Sequence, residues 1–106
     1  MRVSARPRIG LTVGDPAGIG PEIGIKAAAD DRVRAVCDVR LYGPHDAAGL
    51  ARFARGRVSA AAGRAAFDAI VEAVEDARQG RIDAVATAPV NKEAFAAAGL
   101  PWRGHT

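Results

Sequence analysis

The sequence has 106 residues, enough for one small domain, and 49% of them are apolar, although alanine supplies much of that share. The net charge of +3 comes from 15 basic and 12 acidic residues scattered along the chain, without the clustered basic face and aromatic platforms of a nucleic-acid-binding surface. No segment reaches the about 18 consecutive apolar residues of a membrane span and none is typical of a signal peptide, so we expect a soluble cytoplasmic protein.

The first predicted element is a strand over residues 8–14, in which apolar residues alternate with smaller ones. A loop rich in Gly and Pro follows over residues 15–20. Pro21 then suits the first position of a helix, because its missing N–H needs no partner there. This helix is expected to reach about Ala29. Its inward-facing residues are expected to be Ile23, Ala27 and Ala28.

A second strand is predicted over residues 35–42, a run rich in Val. The only cysteine, Cys37, lies in this run, so no internal disulfide can form. Its apolar neighbours are typical of a buried strand cysteine and not of a reactive thiol. Residues 45–55 are weakly helical, and we expect His45 at their start to lie on the surface.

The clearest predicted element is a helix from about Ser59 to Gln79. Ser59 suits the N-cap, and Gly80 suits the left-handed position that often follows a helix. One apolar stripe of this helix is expected to face the core. Its members are Phe67, Ile70, Val71, Val74 and Ala77.

A third strand is predicted over residues 82–88, followed by a short helix from Lys92 to Ala98 that Asn91 can cap and Gly99 can end. Strands and helices therefore alternate along the whole chain. This alternation predicts the α/β class, with a mainly parallel sheet flanked by helices.

The loop from Gly14 to Glu22 is the first segment with chemical interest. A glycine loop between a strand and a helix can present backbone N–H groups to an anion such as phosphate. The spacing matches neither a P-loop nor a dinucleotide-binding fingerprint, so a tight turn that only joins two elements is the alternative, and the spacing alone favours it. Asp15 and Glu22 can serve in proton transfer or can cap the helix.

Two later segments also carry candidate site residues. Asn91 and Lys92 follow a strand, at the edge of an open α/β sheet where ligands usually bind, and the Lys92 ammonium can hold a phosphate or a carboxylate. His105 and Thr106 place an imidazole next to a hydroxyl. The alternative reading for Lys92 and His105 is a solvated surface side chain. The two histidines lie far apart in the sequence, so no metal site is expected from this chain.

Three segments, in their order along the chain, resemble motifs of the 4-hydroxythreonine-4-phosphate dehydrogenase family. The opening motif lies at residues 12–22, the middle motif Thr-Ala-Pro-Val-Asn-Lys-Glu at 87–93, and the approach to Gly-His-Thr at 99–106. A Ser-Ala-x-Ala-Gly helix start at 59–63 agrees as well. The resemblance covers nearly the whole chain but well under half of a usual family member.

The resemblance implies a partial isocitrate/isopropylmalate dehydrogenase-like fold, with the site between two α/β domains of a homodimer subunit. It implies NAD-dependent oxidation, followed by decarboxylation, of 4-phosphonooxy-threonine in pyridoxal phosphate (vitamin B6) biosynthesis, assisted by a divalent metal (Zn, Mg or Co). The alternative is a related four-carbon phosphorylated acid, threonate or erythronate 4-phosphate. His105 and Thr106 match the substrate-binding pair, and Asp15, Asn91 and Lys92 are expected near the cleft.

The sequence also departs from the family pattern. The metal-binding histidines of the family follow Gly-His-Thr, and residues 1–106 contain none of them. The chain is expected to be shorter than its relatives between Arg55 and Val58. We therefore expect residues 1–106 to be an N-terminal part of one dehydrogenase chain that is inactive alone. A non-catalytic phosphate-binding or interaction remnant is the alternative from another class.

Overall fold

The computed structural model describes residues 6–100, which form a three-stranded parallel sheet of order β2-β1-β3. The strands are β1 (Arg8–Thr12), β2 (Asp38–Tyr42) and β3 (Ala84–Thr87). The helices are α1 (Gly20–Ala29), α2 (Asp31–Arg34), α3 (Ala47–Leu50), α4 (Ala60–Arg78) and α5 (Lys92–Ala97). The predicted α/β class with a mainly parallel sheet and flanking helices is confirmed.

Helix α1 covers one face of the sheet through a glycine. A Cβ added at Gly24 would lie 3.5 Å from side-chain atoms of both Val13 and Leu41, so the helix backbone itself faces these residues. The neighbouring Ile23 is 45% exposed, and the prediction that it points inward is wrong. Ala27 and Ala28, predicted with it, are half-buried. The glycine takes the inward position because it lets the helix approach the sheet closely.

Helix α4 covers the opposite face. Tyr42 and Ile82 pack against its alanines in the core, whereas Leu41, the neighbour of Tyr42 in β2, faces α1. The buried side of α4 consists of Ala62, Gly63, Ala66, Ala69, Ile70, Ala73 and Asp76. The predicted apolar stripe is therefore only partly correct. Val71 and Val74 are 50% and 45% exposed, because small residues, not the valines, line the side that meets the sheet.

Helix α5 packs on the N-terminal half of α4. The rings of Phe67 and Phe95 meet edge to face, with centroids 6.3 Å apart at 85°. A Cβ added at Gly63 would lie 2.1 Å from the Ala94 carbonyl oxygen, so the two helix backbones are in direct contact there. This close approach fixes α5, and with it the loop after β3.

The predicted helix caps are present. The Ser59 hydroxyl accepts a hydrogen bond from the Ala62 N–H (3.1 Å), and the Asn91 side-chain oxygen accepts one from the Ala94 N–H (3.0 Å). Gly80 and Gly99 follow α4 and α5 with φ of +78° and +76°, the left-handed conformation that glycine adopts most readily.

The region before and after β2 differs from the prediction. Residues 35–37 lie outside the strand, and Asp31–Arg34 form the short helix α2. Cys37 is half-buried and lies next to the Val33 carbonyl oxygen, 3.5 Å from its Sγ, so the prediction of a buried strand cysteine is wrong. Only four residues of the weakly helical stretch 45–55 form α3.

A buried polar network joins β2 to α4. The Tyr42 hydroxyl donates to the Asp76 carboxylate at 2.6 Å, and the Arg81 guanidinium donates to the same carboxylate at 2.9 Å. Burial, with this hydrogen bond, raises the pKa of Tyr42 to about 12. The hydrogen bond from Tyr42, reinforced by Arg81 and Arg40, lowers the pKa of Asp76 below its usual value. This hydrogen-bond network connects β2 to α4 and lies on the α4 side of the sheet.

Within residues 6–100, the helices are all too short or too polar to cross a membrane.

Candidate functional site

The candidate site lies at the carboxyl edge of the sheet, where the connections after β1 and β3 separate. The loop after β1 leads to α1 on one face, and the loop after β3 leads to α5, which packs against α4 on the other face. Open α/β sheets bind their ligands in a crevice between two such loops, so we expect a ligand site at this edge. The predicted positions Asp15, Asn91 and Lys92 all belong to these two loops.

The two loops are joined by their backbones. The Asp15 N–H donates to the Pro89 carbonyl oxygen at 3.0 Å, and the Ala88 N–H donates to the Thr12 carbonyl oxygen at 2.9 Å. Gly14, with φ of +73°, lies so close that an added Cβ would be 2.1 Å from the Pro89 carbonyl oxygen. The structure thus brings the opening motif and the middle motif together at one edge.

The glycine loop is organised by its own carboxylate. Asp15 is 8% exposed, and its side chain accepts a hydrogen bond from the Ala17 N–H at 2.8 Å. Its carbonyl oxygen accepts another from the Gly18 N–H at 3.0 Å. A phosphate at this loop would meet a carboxylate and amides that already have partners. Of the two readings of this loop, the structure favours the tight turn over the phosphate cradle.

Gly20 has a packing role in the same loop. A Cβ at this position would lie 1.9 Å from the Val13 carbonyl oxygen. A side chain larger than hydrogen is therefore excluded at the start of α1. Gly14 and Gly20 of the opening motif are explained by close backbone approach at the end of β1, which is a different physical demand from anion binding.

Asn91 and Lys92 have different environments. Asn91 is half-buried and caps α5, so its side-chain oxygen is committed to the Ala94 N–H. Lys92, the first residue of α5, is exposed and follows the same loop after β3. Since the cap fixes the start of α5, Asn91 sets the direction in which the lysine leaves the helix.

His105 and Thr106, the candidate substrate-binding pair, lie outside the described residues 6–100. The other histidine, His45, follows β2 at the carboxyl edge and is half-buried, whereas the sequence reasoning placed it on the surface. One of its ring nitrogens, Nδ1, lies 2.8 Å from the Gly43 carbonyl oxygen. A carbonyl oxygen only accepts, so Nδ1 carries the hydrogen in this contact and the neutral ring keeps Nε2 as its acceptor.

A cleft of about 460 Å³ lies on the other side of the glycine loop, which the sequence reasoning did not foresee. The Glu22 carboxylate sits there between the Lys26 ammonium (3.4 Å) and the Arg55 guanidinium (3.6 Å). The Gly56 N–H also donates to the Ala17 carbonyl oxygen at 2.7 Å. These contacts hold the residues after α3 against the loop, and no sequence pattern links positions so far apart.

The described residues do not form a metal centre. Between residues 6 and 100, no group of three or more His, Cys, Asp or Glu side chains could hold an ion. Asp15 is turned into its own loop, as its hydrogen bond to Ala17 shows. At the carboxyl edge of the sheet, the described residues offer the exposed Lys92 ammonium but no set of donors for a metal ion.

Comparison with known proteins identifies the relatives of this chain. Residues 21–106 match the family model "Pyridoxal phosphate biosynthetic protein PdxA". The 4-hydroxythreonine-4-phosphate dehydrogenase of Beijerinckia indica is 39% identical, over 92% of this chain and 39% of that protein. The D-threonate 4-phosphate dehydrogenase of Cupriavidus necator is 40% identical, over 94% of this chain and 41% of that protein.

Solved structures agree with these relatives. A 4-hydroxythreonine-4-phosphate dehydrogenase from Burkholderia phymatum superposes with a TM-score of 0.86 at 34% identity, over 96% of this chain and 42% of that one. The enzyme of the same name from Klebsiella pneumoniae gives a TM-score of 0.81 at 32% identity, over 93% and 42% of the two chains. This chain thus spans about two fifths of the length of the relatives it matches.

The matched parts also differ in length. The alignment with the Cupriavidus necator protein extends over 140 residues but uses 94% of this chain, which is about 100 residues. About 40 positions of the alignment therefore have no counterpart here. This supports an internal shortening, which the sequence reasoning assigned to the stretch between Arg55 and Val58. In the structure, residues 55–58 include Gly56, whose N–H contacts Ala17 of the glycine loop, and they lead directly to α4.

Proposed function

The chain belongs to the PdxA family, and from this membership we propose that the whole protein is an NAD-dependent dehydrogenase of a phosphorylated four-carbon hydroxy acid. The main support for the proposal is that the family model matches the chain and that the opening and middle motifs meet at the carboxyl edge of the sheet. Two substrates are supported by the names of relatives, 4-hydroxythreonine-4-phosphate and D-threonate 4-phosphate. Nearly equal identities, 39% and 40%, do not separate them.

We assign the substrate side of the crevice to this chain. The Lys92 ammonium is an exposed point charge beside the crevice and binds an anionic group of the substrate, its phosphate or its carboxylate. Asn91 positions that lysine by capping α5, and Asp15 keeps the opposite loop in one conformation. His105 and Thr106 are proposed as the substrate-binding pair that the family resemblance implies.

The cofactors belong elsewhere in the proposed enzyme. Residues 6–100 do not fit a divalent metal, and the glycine loop has neither the spacing nor the amides to hold a dinucleotide phosphate. NAD and a Zn, Mg or Co ion are therefore proposed to bind groups outside the matched two fifths of the protein. When bound, they supply a hydride acceptor and a Lewis acid; the residues described here bind and orient the substrate.

The proposed role of Lys92 has a matched control, because Lys26 is the only other lysine of the chain. In the whole protein, Lys92→Ala is expected to raise KM for the phosphorylated substrate about tenfold to a hundredfold, the cost of a lost charge-assisted hydrogen bond. Lys26→Ala, on α1 and paired with Glu22, is expected to change KM less than about twofold. NADH absorbance measures both. Equal KM values for the two variants would show that Lys92 does not bind the substrate.

A second consequence concerns residues 1–106 on their own. Supplied with NAD, a divalent metal and either phosphorylated substrate, they are expected to produce no NADH above a protein-free control, because this part alone contains neither cofactor site. Turnover above that control would contradict the assignment of cofactors to the remainder.

We further propose that the whole protein is a cytoplasmic homodimer without affinity for nucleic acid, which sizing and salt-dependent binding assays test.

A further inference from the structure

The cleft beside the glycine loop has the size and the walls of a small-molecule site. Its volume of about 460 Å³ falls within the roughly 300 to 1,000 Å³ of ligand pockets. The glycine loop and α1 form one side of it, and the end of α3 with the residues that follow forms the other. Its apolar lining residues are Pro16, Pro21, Ile25, Leu50 and Phe53. These walls favour the apolar part of a ligand over water.

Three charged side chains, Glu22, Lys26 and Arg55, also line the cleft. Two cations and one carboxylate sum to a charge of +1 at neutral pH. Lys26 lies one turn from Glu22 in the same helix and contacts its carboxylate at 3.4 Å, so this carboxylate has a local counter-ion without Arg55. The cleft therefore favours an anion over a cation.

Arg55 is the group that can hold this anion. Its guanidinium belongs to the segment after α3, is 76% exposed and lies 3.6 Å from the Glu22 carboxylate. A guanidinium has five N–H donors, more than this one contact can use. The nearby Glu22 carboxylate disfavours a second negative charge on the ligand, because like charges at this distance repel. The geometry thus fits one negative charge at the rim and an apolar body inside.

This cleft is distinct from the proposed substrate site at Lys92. None of its lining residues belongs to the loop after β3 or to α5. Its charge also suits a different ligand, since the proposed substrates carry a phosphate.

We propose that the cleft binds a small monocarboxylate with an aliphatic body, of the class of medium-chain carboxylates. The aliphatic chain packs between Ile25 on one side and Leu50 and Phe53 on the other, and the carboxylate accepts hydrogen bonds from Arg55. The inference depends on the cleft itself and not on the proposed dehydrogenase activity.

Calorimetric titration of the whole protein with octanoate tests the proposal. A Kd below about 1 mM is expected for a ligand of this size. Butyrate, which is four methylene groups shorter, should bind at least about tenfold more weakly, because it buries less apolar area. Octanamide has the same chain with a neutral head group and should bind about threefold to fivefold more weakly, the worth of a partly exposed ion pair.

Two pairs of variants localise the site. Ile25→Glu should weaken octanoate binding about tenfold or more, because it replaces an apolar wall by a like charge. Ile23→Glu is its control, since Ile23 is also in α1, is 45% exposed against 41% for Ile25, and does not line the cleft. Arg55→Gln should weaken octanoate about threefold to fivefold and leave octanamide unchanged, whereas Arg57→Gln, outside the cleft, should change neither.

Circular dichroism of each variant verifies that the fold persists. A Kd for octanoate above about 1 mM overturns the proposal. So does an equal effect of Ile25→Glu and Ile23→Glu, which would place the ligand elsewhere. Tighter binding of octylammonium than of octanoate would also overturn it, by showing that Glu22 and not Arg55 selects the charge of the ligand.

Discussion

Two glycines, one in each main helix, should respond in opposite ways to the same substitution. At Gly24, an added methyl group would lie 3.5 to 3.8 Å from Leu41, Val13 and Leu11, at ordinary van der Waals distance. Alanine stabilises a helix interior by about 1 kcal/mol relative to glycine, and burying a methyl group adds about 0.8 kcal/mol. Gly24→Ala should therefore raise the free energy of unfolding by about 1 to 2 kcal/mol.

At Gly63, the same methyl group would lie 2.1 Å from the Ala94 carbonyl oxygen and 2.4 Å from its carbon. These are backbone atoms, so α5 must move as a unit. Overpacking of this kind costs about 1 to 3 kcal/mol, and displacement of α5 also weakens the Phe67–Phe95 contact. After about 1 kcal/mol of helix-propensity gain is subtracted and about 1 kcal/mol is added for the weakened ring contact, Gly63→Ala should lower the stability by about 1 to 3 kcal/mol.

Thermal unfolding followed by circular dichroism measures both effects. For a domain of this size, 1 kcal/mol corresponds to a shift of about 4 to 8 °C in Tm, so the two variants should lie on opposite sides of the unsubstituted protein and well apart. A Gly63→Ala variant as stable as the unsubstituted protein would show that α4 and α5 do not touch at their backbones. A destabilised Gly24→Ala variant would refute the packing of α1.

Thr12 is fully buried, and its hydroxyl has no hydrogen-bond partner among the described residues. Thr12→Val should therefore raise the free energy of unfolding in denaturant by about 1 kcal/mol, and a loss of stability would reveal a hidden partner. Tyr42 is the only tyrosine, so the tyrosinate absorbance of the protein reports its pKa alone, and we expect a midpoint near 12 instead of 10.0. Because the folded state holds the Tyr42 proton more tightly, this stabilisation is complete below pH 10.0 and is lost as the pH rises toward about 12; Tyr42→Phe should remove that alkaline dependence. Asp76 has the opposite sign: its lowered pKa stabilises the fold above pH 3.8 and ceases to do so as the pH falls through the folded-state value, a decline that Asp76→Asn should reduce in acid denaturation curves.

The helix ends were predictable from the sequence, because residues with strong capping preferences mark them. Ser59, Asn91, Gly80 and Gly99 are caps whose preferences arise from local hydrogen bonds and backbone conformation, and each occupies the predicted position. Local chemistry of this kind does not depend on the rest of the fold, so reading it from the sequence succeeds.

The buried side of α4 was not predictable in the same way. Val71 and Val74 are larger than the alanines of α4 and share a helical spacing with Phe67 and Ile70, so periodicity predicts all four on the core face, yet the two valines are about half exposed. The structure instead buries alanines, since a helix with small residues can lie closer to the sheet. Which residues are small enough to permit that approach depends on the opposing strands, and periodicity along one helix contains no such information.

The meeting of the loops after β1 and β3 was predictable from the sequence, but the hydrogen bonding within these loops was not. The ends of β1 and β3 were expected at one edge, and the hydrogen bond between Asp15 and Pro89 joins them there. Whether the glycine loop cradles an anion depends on where the Asp15 carboxylate turns, which spacing cannot reveal. The ion pair between Arg55 and Glu22 joins two positions that share no motif, so the sequence alone does not predict it.

The backbone joint between the loops after β1 and β3 has a mechanical consequence. The Asp15 N–H donates a hydrogen bond to the carbonyl oxygen of Pro89, two residues before Asn91, which caps α5. A movement of the loop after β1 is therefore coupled to a movement of the loop after β3. A ligand that displaces Lys92 would strain the turn at Asp15, some 77 positions earlier in the sequence. Both loops should therefore respond to one ligand as a single rigid body.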